Sequence, residues 1–149
     1  MVDIQRISSS IGLSREYIYI YLDYLQKAGI LLGLKRGQVG YKAIRKPEKL
    51  YINNSNLYLS IIKEEVNANN IGNVRETFAA NQLSSIHKVT VPDNPEAGDF
   101  IVGNTTIEVG GPHKGIGIQS VAEKKFLFLD NIEIGNRDTI PLYLLGFLY

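Results

Sequence analysis

The stretch Gly98-Asp99-Phe100-Ile101-Val102-Gly103-Asn104-Thr105-Thr106-Ile107-Glu108-Val109-Gly110-Gly111 decides how this chain is read. Two apolar runs flank Gly103-Asn104, a dipeptide suited to a tight turn, so the segment predicts two antiparallel strands. Asp99 and Glu108 then sit on paired strands of one sheet. The run that follows Glu108, Gly110-Gly111-Pro112, predicts a backbone turn or close packing.

Reading outward toward the N-terminus, His87-Lys88-Val89-Thr90-Val91 predicts a third strand, joined to the Asp99 strand by a turn around Pro92 to Gly98. Before it, Val74 to Leu83 predicts a helix with Val74, Phe78 and Leu83 facing inward. The asparagine-rich run Asn67 to Asn73 is its polar hinge. Pro47 to Ile52 predicts a strand, and Asn53-Asn54-Ser55-Asn56 supplies turn and capping groups for a helix over Leu57 to Ile62. Reading outward toward the C-terminus, Gly115 to Lys124 suits a short helix. Phe126-Leu127-Phe128-Leu129 is a continuous apolar run, as in a strand buried on both faces.

The first third reads differently. Ile4, Ile7 and Ile11 recur at helical spacing, Gly12-Leu13-Ser14 breaks the pattern, and Ile18, Leu22, Leu25 and Ala28 resume it up to Gly29. Ile30 to Leu34 and Tyr41 to Ile44 flank Arg36-Gly37-Gln38-Val39-Gly40, as in a β-hairpin. The exposed side of the second helix offers Arg15, Tyr19, Gln26 and Lys27, together with Glu16 and Asp23, whose charges would oppose phosphates. Tyr17, Tyr21 and Tyr24 are spaced either to complete the core face or to form an interface. Few residues precede Ile4, and the three-helix core of such a unit needs another helix ahead of the turn. The chain is therefore expected to be the C-terminal part of something longer.

With 149 residues and 44% hydrophobic content, the chain is long enough for one good core or two small ones, and two touching modules are expected. Cysteine is absent, which excludes disulfides and thiolate metal sites. No apolar run approaches the roughly 20 residues of a membrane helix, so a cytoplasmic, non-membrane protein is the default. The net charge of +1 hides an asymmetry: residues 1–50 hold nine Lys/Arg against four Asp/Glu. Lys35, Arg36, Lys42, Arg45, Lys46 and Lys49 face only Glu48 within that basic run. With Arg15, the residues Lys35, Arg36, Lys42, Arg45 and Lys46 form the candidate nucleic-acid contacts, since a phosphate backbone is one partner for such a run. A solvated loop docking on the acidic remainder is the other.

The first third resembles a winged helix-turn-helix (1–46). Residues 47–149 resemble the PD-(D/E)XK nuclease fold, whose common core is a helix, three antiparallel strands, a helix and a strand. The expected class is thus α+β, with a winged helix followed by a small nuclease-like α/β domain with a mixed sheet. In that fold strand acids hold Mg²⁺, and a lysine two residues after the second acid orients the nucleophile. The matching residues here are Asp99, Glu108 and Gly110, with Glu76 in place of a supplementary helical acid. Glycine cannot carry a cation. Lys114, and beyond the next helix Lys124 or Lys125, are the candidates to replace the missing lysine. Catalytic candidates are therefore Glu76, Asp99, Glu108 and Lys114, and Asp99 with Glu108 is the candidate pair for Mg²⁺ or Mn²⁺. Alternatively, the two acids bond to one another's strands or pair with Arg75 and hold no metal. His87 and His113 read as surface residues. Gly110 to Gly117 lacks the Lys-Ser or Lys-Thr of a phosphate-binding loop, so no nucleotide site is encoded.

Nearly the whole chain resembles the C-terminal region of archaeal-type AAA-class P-loop ATPases found in bacteria, a domain of unknown function. The resemblance rests on Gly29-Ile30-Leu31, Arg45 to Ile52, Arg75-Glu76-Thr77-Phe78, Gly98-Asp99-Phe100, Glu108-Val109-Gly110-Gly111 and Ile140 to Tyr149. It implies a partner ATPase domain in the same parent protein, and ATP would bind only there, because Walker motifs are missing from these residues. The leading expectation is a non-catalytic module that contacts DNA or a protein. The alternative is a metal-dependent nuclease with a displaced lysine, and a third class is a protein-interaction or homo-oligomerisation domain.

Overall fold

A computed structural model describes residues 2–37, 47–115 and 124–148. The fold is α+β, as expected, with a two-stranded sheet and a mixed five-stranded sheet. Helix α1 (Ile4–Ile11) starts at Asp3, whose carboxylate accepts the Arg6 N–H, and ends at Gly12 with φ 69°. Ser14 caps helix α2 (Arg15–Lys27) by accepting the Tyr17 N–H. Both ends match the sequence signals, because capping chemistry is local and needs no tertiary context.

The next strand has a partner that the sequence reading did not name. Strand β1 (Leu31–Leu34) pairs antiparallel with β2 (Lys49–Ile52), with Leu31 opposite Ile52 and Leu34 opposite Lys49. The expected strand over Tyr41 to Ile44 lies outside the described residues. The ladder therefore crosses the position expected to divide the two modules. The Glu48 N–H donates to the Leu34 carbonyl, and the Asn53 N–H to the Ile30 carbonyl, closing the ladder at both ends. Just beyond β1, Arg36 bridges to Val91 and the Lys35 carbonyl accepts the Val91 N–H at 2.9 Å. The small sheet is thus stitched to the edge of the large one.

Helix α3 (Ser55–Ile62) is capped by Asn54, and helix α4 (Ile71–Ile86) begins three residues earlier than its apolar pattern implied. The large sheet runs in the order β3 (Val89–Thr90), β4 (Phe100–Val102), β5 (Thr105–Gly110), β6 (Lys124–Leu129) and β7 (Thr139–Pro141). β3, β4 and β5 are antiparallel, and β6 and β7 add in parallel. A 3-10 helix, Leu142–Phe147, follows β7 and packs against α4. The segment expected as a helix over Gly115 to Lys124 falls largely outside the described residues.

Alternation along β5 decides which residues are core and which are chemistry. Ile107 and Val109 point toward α4 and join one cluster with Ala79, Ala80, Leu83, Phe100, Phe128, Leu142 and Leu145. The intervening Thr106 and Glu108 take the other face. Leu34 and Tyr51 belong to the same cluster, so the small sheet contributes to the main core. Fully burying the Val, Leu, Ile and Phe side chains among these contributes about 1.5–3 kcal/mol each, which makes this cluster the main hold on the fold. By contrast, α2 buries only Ile18.

Candidate functional site: an acidic centre closed by lysines

Three carboxylates meet at the end of the large sheet. Glu76 stands on the second turn of α4, Asp99 just ahead of β4, and Glu108 in the middle of β5. The Asp99 N–H donates to the Ile107 carbonyl at 2.9 Å, which fixes its backbone against β5. Its Oδ2 accepts the Val109 N–H at 2.9 Å, so Asp99 does bond to its neighbour's strand. Gly98 makes this approach possible: its φ is 157°, and a Cβ there would collide with Thr106.

Each carboxylate is met by an ammonium group. Lys49 on β2 bridges Glu76 Oε2 at 3.2 Å and Asp99 Oδ1 at 3.3 Å. Lys114 reaches Glu108 Oε1 at 2.6 Å and lies 3.8 Å from Asp99 Oδ2, and its Nζ donates to the Val109 carbonyl at 2.8 Å. Lys125 on β6 stands 3.6 Å from Glu108 Oε2 and is almost wholly buried. The Tyr51 hydroxyl donates to Glu76 Oε2 at 2.8 Å. The Lys49 ammonium also lies 5.4 Å from the centre of the Phe100 ring, a favourable cation–π position.

The absence of a side chain at Gly110 explains how Lys114 gets in. A Cβ on Gly110 would overlap the Lys114 side chain, so the lysine stem runs through the space that any other residue would fill. Burial works against the Lys114 ammonium, but the hydrogen bond to Glu108 and the charges of Asp99, Glu108 and Glu76 outweigh it and raise its pKa above 10.5. Burial also pushes the Tyr51 phenol far above its ordinary 10.0, reinforced by the charge of Glu76, the hydrogen bond to Glu76 and the charge of Asp99.

The structure thus brings together all four catalytic candidates. It corrects one pairing: Arg75 turns away from the acids and holds Asp130 through Nε at 2.9 Å, with its guanidinium against Gly111. Lys49 and Tyr51 are the members that the sequence reading missed. Their signal was the two-residue spacing on one strand, which sets both side chains on the same face. Lys124 opens β6 and is exposed, and His87 and His113 are exposed as expected. Of the candidate nucleic-acid contacts, Arg15 is exposed, Lys35 is exposed, and Arg36 is held by Glu48 at 2.9 Å. Lys42, Arg45 and Lys46 lie outside the described residues.

Among the described residues, no three His, Asp or Glu side chains stand together in a way that could hold a metal ion. The donor set open to a cation is the Asp99–Glu108 pair. Two carboxylates suit Mg²⁺, which keeps several waters, but the ammonium groups already contact these oxygens. Among the described residues no helix is long and apolar enough to cross a membrane. Compared with known protein families, curated proteins and solved structures, the chain matches none.

Proposed function

We propose that this chain is a non-catalytic binding module, a winged-helix-like unit joined to a nuclease-like domain, which serves an AAA-class ATPase and contacts DNA or a protein. The observation that carries the non-catalytic part is the pairing of Glu76, Asp99 and Glu108 with Lys49, Lys114 and Lys125 at 2.6–3.8 Å. Three negative charges meet three positive ones, so the centre is neutral without a metal ion. A divalent cation would have to break several charge-assisted contacts to enter. The resemblance of Glu108-Val109-Gly110-Gly111 and the C-terminal stretch to the ATPase family supports the ATPase assignment. The basic run from Lys35 to Lys46 supports the DNA contact.

The test is incubation with supercoiled, linear and single-stranded DNA, with and without Mn²⁺, scoring retention and cutting together. Retention at low salt without cutting is expected, and it should weaken when Lys35, Arg36, Lys42 and Lys46 are neutralised. Retention indifferent to those changes would leave protein contact as the function.

One observation favours a second reading, a metal-dependent nuclease. Lys114 lies over Gly110 and holds Glu108, placing an ammonium beside both strand acids where the strand itself offers none. In that reading Asp99 and Glu108 bind Mg²⁺ or Mn²⁺, the ion would activate water, and Lys114 balances charge and orients the attacking group. Mn²⁺-dependent cutting that disappears in both Asp99→Ala and Lys114→Ala would establish it in place of the first reading.

A further inference from the structure

Helix α2 has two apolar faces. One packs inward through Ile18, with Leu22 half-buried beside it. On the outer side, Tyr17, Ile20, Tyr21 and Tyr24 are 55%, 41%, 47% and 61% exposed. At 100° per residue these four fall within one arc of about a quarter-turn, so they form a continuous stripe along the helix. Tyr17 and Tyr21 stack, with ring centres 6.3 Å apart and planes 29° apart. Three large aromatic side chains aligned in water cost hydration free energy that a docking partner would recover.

We propose that this stripe is the interface of a two-fold dimer of the chain, in which α2 packs antiparallel against α2 of a second copy. The spacing is self-complementary, as an isologous interface requires. In an antiparallel pair Tyr17 meets the partner subunit's Tyr24, and Ile20 meets the partner subunit's Tyr21. The charges agree. Glu16, Asp23 and Lys27 flank the stripe on one side, and antiparallel packing sets the same flanks together with their ends reversed. Glu16 near the N-terminal end then lies within reach of the partner subunit's Lys27 near the C-terminal end. Within its own helix Lys27 holds Asp23 at 2.7 Å, so it links the acids of both copies.

Charge also selects against other occupants. Arg15, Glu16, Asp23 and Lys27 leave α2 formally neutral, so two copies do not repel, and a phosphate backbone gains no net attraction along it. The exposed parts of the three tyrosines, Ile20 and Leu25 offer on the order of 500 Å² per chain, or roughly 1,000 Å² for the pair. That area lies at the lower edge of specific interfaces and corresponds to a weak, concentration-dependent dimer.

Sedimentation of the full chain from about 1 to about 300 μM tests this, since a weak dimer dissociates within that range. A monomer–dimer equilibrium is expected, weakened at least tenfold in Tyr24→Lys and in Tyr21→Lys, with circular dichroism unchanged because both side chains are exposed. Glu16→Lys should weaken the dimer several-fold, and adding Lys27→Glu to that variant should restore it. A chain that stays monomeric throughout overturns the proposal. So does a dimer that Tyr24→Lys leaves intact, or a charge swap that fails to rescue, since either outcome places the contact elsewhere. The acidic centre takes no part in this test, so either reading of that centre leaves its outcome unchanged.

Discussion

In the acidic centre, side chains from β2, α4, β5, β6 and the loops ahead of β4 and after β5 converge until each carboxylate is hydrogen-bonded or ion-paired. On the outer face of α2, four large side chains from one helix are about half exposed to solvent, and Tyr17 stacks on Tyr21. The first region is satisfied within the chain and binds the fold together. The second is left unsatisfied by the chain and is available for association. Changes to the centre should therefore appear as lost stability, and changes to α2 as lost assembly.

The sharpest way to break this contrast is Asp99→Ala. It strips the acceptor from the Val109 N–H and a partner from both Lys49 and Lys114, and should cost about 3 kcal/mol in urea unfolding. Asp99→Asn keeps an acceptor for Val109 and should lose less. A variant more stable than the unsubstituted chain would show that the Asp99 carboxylate strains the fold instead of holding it.

Gly110→Ala comes next. The new methyl group displaces Lys114 from its channel, so a loss of about 1–2 kcal/mol is expected. Lys114→Ala, which removes the Cγ and Cδ that the new methyl would meet, should make the same site more tolerant of alanine. The two changes should therefore be less than additive by denaturant titration.

Tyr51→Phe should cost about 1 kcal/mol by removing the hydroxyl that donates to Glu76. Its pH signature separates it from a packing defect. The folded chain holds the Tyr51 and Lys114 protons more tightly than the unfolded chain, so both contributions are fully present below about pH 10. They are lost as pH rises beyond the unfolded values of 10.0 and 10.5. Stability should fall above pH 10, and Tyr51→Phe should make that fall shallower. The smallest effect belongs to the other region: Tyr17→Ser or Tyr24→Ser should change the stability of the monomer by no more than about 0.5 kcal/mol.

The parts of the fold that a reader of the sequence can see are those fixed by neighbours in the chain. Ser14 announces α2, Asn54 announces α3, and Gly103-Asn104 announces the turn that sets Asp99 and Glu108 on paired strands. The role of Lys114 is half-visible. Its nearness to Gly110 is written in the sequence, but its path depends on space left by a missing side chain. The pairing of β1 with β2 is not visible, because register across the fourteen intervening residues is chosen by burial of Leu34 and Tyr51 in the common core. Lys49 and Tyr51 were missed for the same reason: a strand's neighbours, not its composition, decide what its side chains face. The tyrosines of α2 show the limit from the other direction, since spacing alone fits either an inner or an outer face.

The ladder between Leu31–Leu34 and Lys49–Ile52 has a practical consequence for anyone who divides this polypeptide. A cut near residue 46 looks natural from composition, yet it would unzip a strand from its mate and leave β2, with Lys49 and Tyr51, without the strand it pairs with. The N-terminal piece would then carry a bare, aggregation-prone edge, and the C-terminal piece would keep its three acids but be separated from the strand that seats β2 beside them. Expression trials that treat the halves as separable parts should yield two products less soluble than the uncut chain.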